Sequence, residues 1–173
     1  LKNGKIIAMA RGREEFGARA LGNRSILANP KKLACIKEIN EAIKNRDFWM
    51  PFALTILADK QKKIIFNNKG IECDYMTIGF DTKKDFLSNI KAGTHPYDST
   101  VRPQILKKES NEKYYNLINH FYKITGIPAV LNTSLNLHGN PISSSLEDVI
   151  NTFKVSGLKY LYLEGQYLIE KRK

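Results

Sequence analysis

Basic and small polar residues are concentrated in four segments of this sequence that lack a regular apolar period. The first, residues 12–25, contains three glycines and three arginines, namely Gly12, Gly17, Gly22, Arg13, Arg19 and Arg24. Glycine permits tight backbone turns, and the planar guanidinium of arginine matches the oxygens of a phosphate group. The segment is therefore a candidate phosphate-binding loop. The alternative is that these arginines pair with Glu14 and Glu15.

The second and third segments place cations beside polar side chains. Lys44 and Arg46 lie at the C-terminal end of the first predicted helix, where they either bind a ligand or complement the negative end of the helix dipole. The third segment is a polar loop that runs into a strand and contains His95, Asp98, Thr100 and Arg102. Because His95 precedes a proline, a turn role is the alternative to a chemical one.

The fourth segment, residues 131–141, directly follows a short predicted strand. It contains Asn132, Thr133, Ser134 and Asn136. In open α/β sheets ligands bind beyond the carboxyl ends of the strands. Hydroxyl and amide groups at that position can hold a phosphate or another polar group without adding charge. The alternative is a well-bonded turn.

Strands and helices alternate around these segments. The sequence predicts strands at 5–10, 54–58, 75–80, 101–107 and 128–131, and a terminal hairpin formed by 159–163 and 166–170. It predicts helices from Asn29-Pro30 to Lys44, over 114–124, and from a capping box at Ser145 and Asp148 to Val155. Residues 11–25 are predicted to be a structured loop. This alternation favours a single α/β domain with a mixed sheet.

The composition limits the classes of function. The formal net charge is +11, which indicates an anionic partner: nucleic acid, a phosphorylated small molecule or an acidic companion domain. No apolar run is long enough to cross a bilayer, and the two cysteines, Cys35 and Cys73, lack the spacing of a metal site and are predicted to be reduced core residues. The common phosphate-loop, dinucleotide-binding, zinc-protease and EF-hand motifs are absent from the sequence.

Taken together and in order, the four segments resemble the C-terminal region of the carbamoyltransferases that modify nodulation factors and antibiotics. The resemblance covers nearly the whole chain, from Gly12 to Asp148. It is carried by GREEFGARALGNRSIL at 12–27, KNR at 44–46, PFA at 51–53, HPYDSTVRPQ at 95–104, TGIPAVLNTSLN at 125–136, GNPI at 139–142 and the pair Glu147-Asp148. The Lys-x-Arg and Ser-x-Asn pairs also resemble the signature of YrdC-like domains.

The resemblance implies a YrdC-like α/β fold with a twisted, mostly open mixed sheet and flanking helices. It implies that the domain uses carbamoyl phosphate and ATP, with Mg²⁺, to form a carbamoyl adenylate. It implies catalytic roles for Lys44, Arg46, Ser134 and Asn136, and substrate binding by Arg19, Arg24, His95, Asp98, Thr100, Arg102, Asn132 and Thr133. No metal ligands within the chain are expected.

The resemblance further implies that residues 1–173 are the C-terminal domain of a longer, two-domain cytoplasmic enzyme. Its N-terminal, metal-bearing domain, resembling Kae1 proteins, would pass the carbamoyl group to an alcohol. A chain that begins with Leu1 is consistent with a piece of something longer. We expect neither a membrane nor a nucleic acid as a partner.

Some positions depart from the family pattern. Ala18 stands where the family usually has proline, Ser99 where it has glycine, and Met50 where it has an arginine that, by resemblance, contacts carbamoyl phosphate. Two alternatives remain: a basic, nucleic-acid-binding module of YrdC-like fold, and a non-catalytic regulatory domain, which the change at Met50 would suit.

Overall fold

The computed structural model describes residues 1–47 and 50–172 as one α/β domain built on a single seven-stranded sheet. The strands are β1 (Ile7–Ala10), β2 (Arg24–Ala28), β3 (Ala53–Leu57), β4 (Gln104–Leu106), β5 (Ala129–Ser134), β6 (Tyr160–Leu163) and β7 (Tyr167–Glu170). Their order across the sheet is β4-β3-β5-β2-β1-β6-β7. The β3–β4 and β1–β6 pairs are parallel and the other four are antiparallel. The predicted α/β class with an open mixed sheet is therefore confirmed.

Within the described residues four α-helices flank the sheet: α1 (Ala34–Ile39), α2 (Lys84–Leu87), α3 (Glu112–Thr125) and α4 (Leu146–Val155). A π-helical turn, Asn40–Lys44, extends α1, and 3₁₀ turns lie at Ala58–Lys63 and Lys91–Gly93. Helix α3 packs against β3 and β5. None of the helices in residues 1–47 and 50–172 combines the length and apolar character needed to span a bilayer.

Several predicted elements are confirmed with small shifts. Helix α3 ends at Gly126, whose positive φ of 76° closes the helix, as expected for a C-terminal glycine. Helix α4 begins with the predicted capping box between Ser145 and Asp148. The terminal hairpin turns at Glu164 and Gly165, which both have positive φ.

The first helix begins later than predicted. The Oδ1 of Asn29 accepts a hydrogen bond from the amide of Lys31 at 3.0 Å, which makes a local turn rather than a helix cap. The α-helix starts only at Ala34 and passes into the π-helical turn at Asn40.

Strand β2 was not predicted, because residues 11–25 read as a continuous loop. All five of its residues are buried, and a strand buried on both faces has no alternating pattern. Strand β5 is longer than predicted and extends through Ser134, since its backbone pairs with β2 on one side and β3 on the other.

The strand predicted at 75–80 does not form. Met76 adopts a left-handed conformation (φ 57°), and only Phe80 makes an isolated bridge, to Val101. The strand predicted at 101–107 is reduced to Gln104–Leu106. Pro103 precedes it and has no amide hydrogen to donate.

The core is continuous across the sheet. Cys35 and Cys73 are free and buried within it, where they behave as small apolar side chains.

Candidate active site: a buried lysine beside an arginine cleft

Lys44, Ser134 and Asn136 meet in one hydrogen-bonded group, although the sequence separates the lysine from the other two by about 90 residues. The ammonium group of Lys44 donates to Oγ of Ser134 at 3.1 Å, to Oδ1 of Asn136 at 2.6 Å and to the backbone oxygen of Asn136 at 3.3 Å. Oγ of Ser134 also donates to Oδ1 of Asn136 at 2.6 Å. All three hydrogens of the ammonium group thus point at neutral oxygens.

Local structure brings these three side chains together. Ser134 is the last residue of β5, and Asn136 follows two positions later. The side-chain Nδ2 of Asn136 donates hydrogen bonds to the carbonyl oxygens of Leu137 and Asn140. These bonds fix the side-chain amide so that its Oδ1 faces Lys44. Lys44 ends the π-helical turn, and the left-handed Asn45 (φ 44°) then reverses the chain.

Lys44 is only 2% exposed. Burial, reinforced by the nearby charge of Arg46, lowers the pKa of Lys44 to about 7. Removal from water disfavours the charged form of an amine, and a neighbouring cation disfavours it further. The group can therefore gain or lose a proton near neutral pH, and a bound anion would favour the charged form.

Three arginines line a narrow cleft next to this group, which we call the arginine cleft. Its lining is Ala18, Arg19, Ala20, Arg46, Ala53, Met76, Arg102, Asn132, Thr133 and Ser134, and its cavity volume is about 40 Å³. The guanidinium of Arg46 lies 5.3 Å from the ring centre of Phe52, and that of Arg102 donates to the carbonyl oxygen of Met76 at 2.6 Å.

The arginine cleft is strongly positive. Burial lowers the pKa of Arg46, and the nearby charge of Arg19 lowers it further. Burial also lowers the pKa of Arg102, to which the charges of Arg19 and Arg46 both contribute. Within residues 1–47 and 50–172, no carboxylate lies within 4.0 Å of any of the three guanidinium groups. An uncompensated group of cations beside a partly buried surface favours an anionic ligand.

Arg24 holds backbone segments together through its guanidinium group. Its guanidinium makes five contacts, all with backbone carbonyl oxygens: two with Ser144 and one each with Arg11, Gly12 and Asn23. The side chain is buried. These bonds tie the loop after β1 to the start of α4, and the substrate-binding role of Arg24 stays a prediction.

Glu15 fixes the same loop, a role that the sequence does not predict. One carboxylate oxygen accepts hydrogen bonds from the amides of Leu21, Asn23 and Arg24, at 2.7, 2.6 and 3.2 Å. Glu14 accepts from the hydroxyl of Ser144 instead. Neither glutamate forms an ion pair with Arg13, Arg19 or Arg24 among the described residues. The sequence holds no signal for this, because any loop glutamate near arginines suggests an ion pair.

His95, Asp98 and Thr100 form a closed, exposed turn away from the arginine cleft. Asp98 accepts from the amide and the hydroxyl of Thr100 at 2.9 and 2.8 Å, and lies 3.4 Å from Nδ1 of His95. Ser99 takes a left-handed conformation (φ 60°), which explains the glycine of the family pattern at this position.

His95 lines a separate hollow, which also holds Met50. This hollow has a volume of about 270 Å³ and is lined by Leu33, Ile36, Met50, Pro51, Leu87, Lys91, Thr94, His95, Pro96 and Ser99.

Six of the twelve predicted site residues line the arginine cleft, namely Arg19, Arg46, Arg102, Asn132, Thr133 and Ser134. Two more, Lys44 and Asn136, contact Ser134. The other four lie outside the cleft.

Comparison with known proteins relates the whole chain to one family. The sequence profile described as "Carbamoyltransferase C-terminus" matches residues 1–171. An uncharacterized protein of Methanocaldococcus jannaschii, MJ1051, is 44% identical over 169 residues, which is 98% of this chain and 32% of that protein. Nodulation protein NolO of Bradyrhizobium diazoefficiens is 36% identical over 173 residues, which is 99% of this chain and 31% of that protein.

A solved structure supports the fold. The full-length HypF protein, crystallised in a phosphate- and nucleotide-bound form, superposes with a TM-score of 0.56 at 15% identity, over 100% of this chain and 20% of that one. This likeness supports the predicted YrdC-like architecture. The chain spans about a third or less of the length of these relatives. By its sequence along nearly its full length, the chain belongs to the carbamoyltransferase C-terminus family.

Proposed function

We propose that this chain is the part of an O-carbamoyltransferase that binds carbamoyl phosphate and ATP and makes a carbamoyl adenylate. In the first step water cleaves carbamoyl phosphate into carbamate and inorganic phosphate. A carbamate oxygen then bonds to the α-phosphorus of ATP, and the bond from that phosphorus to pyrophosphate breaks. Both substrates are polyanions, so the protein has mainly to position them and to neutralise the charge that builds on the leaving oxygens.

The observation that carries this proposal is the arrangement of cations without carboxylates. The cleft is lined by Arg19, Arg46 and Arg102. Next to it, Lys44 donates hydrogen bonds to Ser134 and Asn136. Guanidinium groups hold phosphoryl oxygens in two-point contacts, and an ammonium group serves as a point charge. Lys44 can take up a proton as an anion arrives and so match the charge of the substrate.

Magnesium would bind together with the nucleotide, through its phosphate oxygens, and not to side chains of this chain. Residues 1–47 and 50–172 contain no group of three or more His, Cys, Asp or Glu side chains placed to hold a metal ion, and no carboxylate lines the arginine cleft. Mg²⁺ commonly binds through substrate phosphates and water. The residues of this chain then act on the phosphate oxygens that the ion leaves free.

The acceptor alcohol would be carbamoylated elsewhere, in a preceding Kae1-like domain of a longer cytoplasmic protein. The difference in length between this chain and its relatives supports a larger enzyme of this kind. In that arrangement the present domain supplies the activated carbamoyl group and the other domain selects the alcohol.

The exchange of labelled pyrophosphate into ATP tests the proposal directly. We expect this chain to catalyse the exchange with Mg²⁺ only when carbamoyl phosphate is added, because carbamate is needed before ATP can be cleaved. Calorimetric titration should show ATP binding without carbamoyl phosphate. Exchange that is independent of carbamoyl phosphate, or a lack of ATP binding, would contradict the proposal.

A further inference from the structure

Asn132 carries a buried oxygen that has no hydrogen-bond donor. Its side chain is 1% exposed and lines the arginine cleft. Within residues 1–47 and 50–172, four buried side-chain oxygens lack a partner: Glu15 Oε2, Asn40 Oδ1, Asp74 Oδ1 and Asn132 Oδ1. Asn132 is the one of these that lines the cleft. A buried acceptor without a donor is destabilising, because it has lost its hydrogen bonds to water and gained none in return, so an unpaired oxygen at this position indicates a place for a donor from a ligand.

The surrounding hydrogen bonds decide which end of the Asn132 amide is unsatisfied. The carbonyl oxygen of Leu21 can only accept, so the nearby Nε2 of Gln104 donates to it at 3.3 Å and Oε1 of Gln104 turns towards Thr55. The hydroxyl of Thr55 then gives its proton to that Oε1 at 2.9 Å.

With its proton used, Thr55 can only accept further bonds. It does so from the hydroxyl of Tyr114 at 3.0 Å and from Nδ2 of Asn132 at 3.1 Å. Nδ2 also donates to the carbonyl oxygen of Ala20 at 3.0 Å. Both neighbours of the nitrogen are acceptors, so Asn132 cannot be turned over, and its oxygen is the end that lacks a partner.

The size of the cleft restricts what can reach this oxygen. Its volume is about 40 Å³, which favours a small polar group over a nucleobase at this position. The carbamoyl group is the small neutral group of the proposed reaction, and its amino group supplies the N–H that the oxygen lacks.

We propose that Oδ1 of Asn132 accepts a hydrogen bond from the amino group of the carbamoyl moiety and thereby selects carbamoyl phosphate over acyl phosphates that carry a methyl group at that position. This inference rests on the proposed use of carbamoyl phosphate. Arg19, Arg46 and Arg102 attract the phosphoryl group of either ligand, so they give affinity without this selectivity. Asn132 gives the selectivity, because a methyl group leaves its oxygen buried and unpaired.

The test compares carbamoyl phosphate with acetyl phosphate, which differs by a methyl group in place of the amino group. Titration calorimetry on wild type should show carbamoyl phosphate binding about 10- to 100-fold more tightly. In Asn132→Leu, which removes the oxygen and keeps a similar volume, the ratio of the two affinities should fall towards about 1. Tyr114→Phe is the control, since it removes a donor from the same network and leaves the Asn132 oxygen. It should lower thermal stability and keep the wild-type ratio.

The outcomes separate this inference from the proposed function. Equal affinity of wild type for both phosphates would overturn the role of Asn132 and leave the proposed function standing. An Asn132→Leu variant that keeps the preference would overturn it as well. Wild type that binds neither compound would remove the proposed function and this inference with it. The comparison of ligands on wild type decides even where Asn132→Leu does not fold.

Discussion

Oδ1 of Asn136 lies 2.6 Å from the ammonium nitrogen of Lys44 and accepts a hydrogen bond from it. The same oxygen accepts from Oγ of Ser134, so one neutral amide helps to hold a buried cation that has no carboxylate within 4.0 Å among the described residues. A buried charge is costly unless it is paired. Among the described residues no negative charge compensates the ammonium group of Lys44, and a bound anion would supply one.

Replacement of this lysine should reduce ligand binding far more than stability. Lys44→Met keeps an unbranched apolar stem in the buried position and removes the charge, and Ser134 still donates to Asn136. We expect the affinity for ATP and carbamoyl phosphate to fall by about 1.5 to 3 kcal/mol, the value of a charged hydrogen bond. Calorimetry and thermal melting of the same samples check this. Lys123→Met, at an exposed position of α3, controls for net charge, and equal losses of melting temperature and affinity would indicate a structural role.

Binding of a polyanion should be accompanied by proton uptake above neutral pH. Burial lowers the pKa of Lys44 to about 7, so in the free protein the amine is mostly neutral at pH 8, and a bound phosphate raises its pKa. The affinity for the ligand is then greatest below pH 7, where Lys44 is charged with or without ligand. It falls as the pH rises from the pKa of Lys44 in the free protein towards its higher pKa in the complex. Calorimetry at pH 8 in buffers of different ionisation enthalpy should show uptake of up to about one proton per ligand. Uptake that persists in Lys44→Met would assign the proton to another group.

Arg19, in the loop before β2, and Arg24, the first residue of β2, should respond differently to the same substitution. Arg24→Lys removes most of five bonds to backbone carbonyl oxygens and should lower the free energy of unfolding by about 2 to 4 kcal/mol. Arg19→Lys, at an exposed side chain that lines the cleft, should leave the melting temperature nearly unchanged and weaken the binding of phosphate ligands. Denaturant unfolding and calorimetry on both variants separate the two roles. A stable Arg24→Lys variant with weakened binding would place Arg24 at the substrate instead.

Met50→Arg should strengthen the binding of carbamoyl phosphate. Met50 lines the hollow that contains Lys91 and His95, and an arginine there adds a two-point donor where methionine offers only apolar contact. We expect carbamoyl phosphate to bind about 10- to 100-fold more tightly, which corresponds to roughly 1.5 to 3 kcal/mol, and ATP affinity to change little. The alternative is that Arg46 or Lys44 already compensates for the missing arginine, in which case wild type binds well and the substitution crowds the site. An unchanged or weaker variant would show that an arginine at position 50, in this separate hollow, does not reach the anion in the arginine cleft.

The chain by itself should not carbamoylate an alcohol. The proposed division of labour assigns acceptor activation to a second domain, and none of the three histidines, His95, His120 and His138, belongs to a group that could hold a metal ion in the described residues. Incubation with carbamoyl phosphate, ATP and a range of alcohols should yield pyrophosphate without a carbamoylated product, measured by mass spectrometry. A carbamoylated alcohol from this chain would refute the two-domain scheme.

Local sequence determined the elements whose signals lie within a few residues. The capping box of α4, the glycine that ends α3 and the turn of the last hairpin depend on backbone conformation at single positions. The order of motifs along the chain also predicts the family and places Lys44, Ser134 and Asn136 in one predicted site.

The tertiary structure decided what depends on partners distant in sequence. Strand β2 exists because β1 and β5 satisfy its backbone on both sides, and its buried residues show no period of their own. Arg19 and Arg24 have the same side chain and lie five residues apart, yet one lines the cleft and the other is bound to carbonyl oxygens up to 120 residues away. The sequence supplies the donors and acceptors, and only the packing of distant segments determines which of them are satisfied and which, like the oxygen of Asn132, remain available to a ligand.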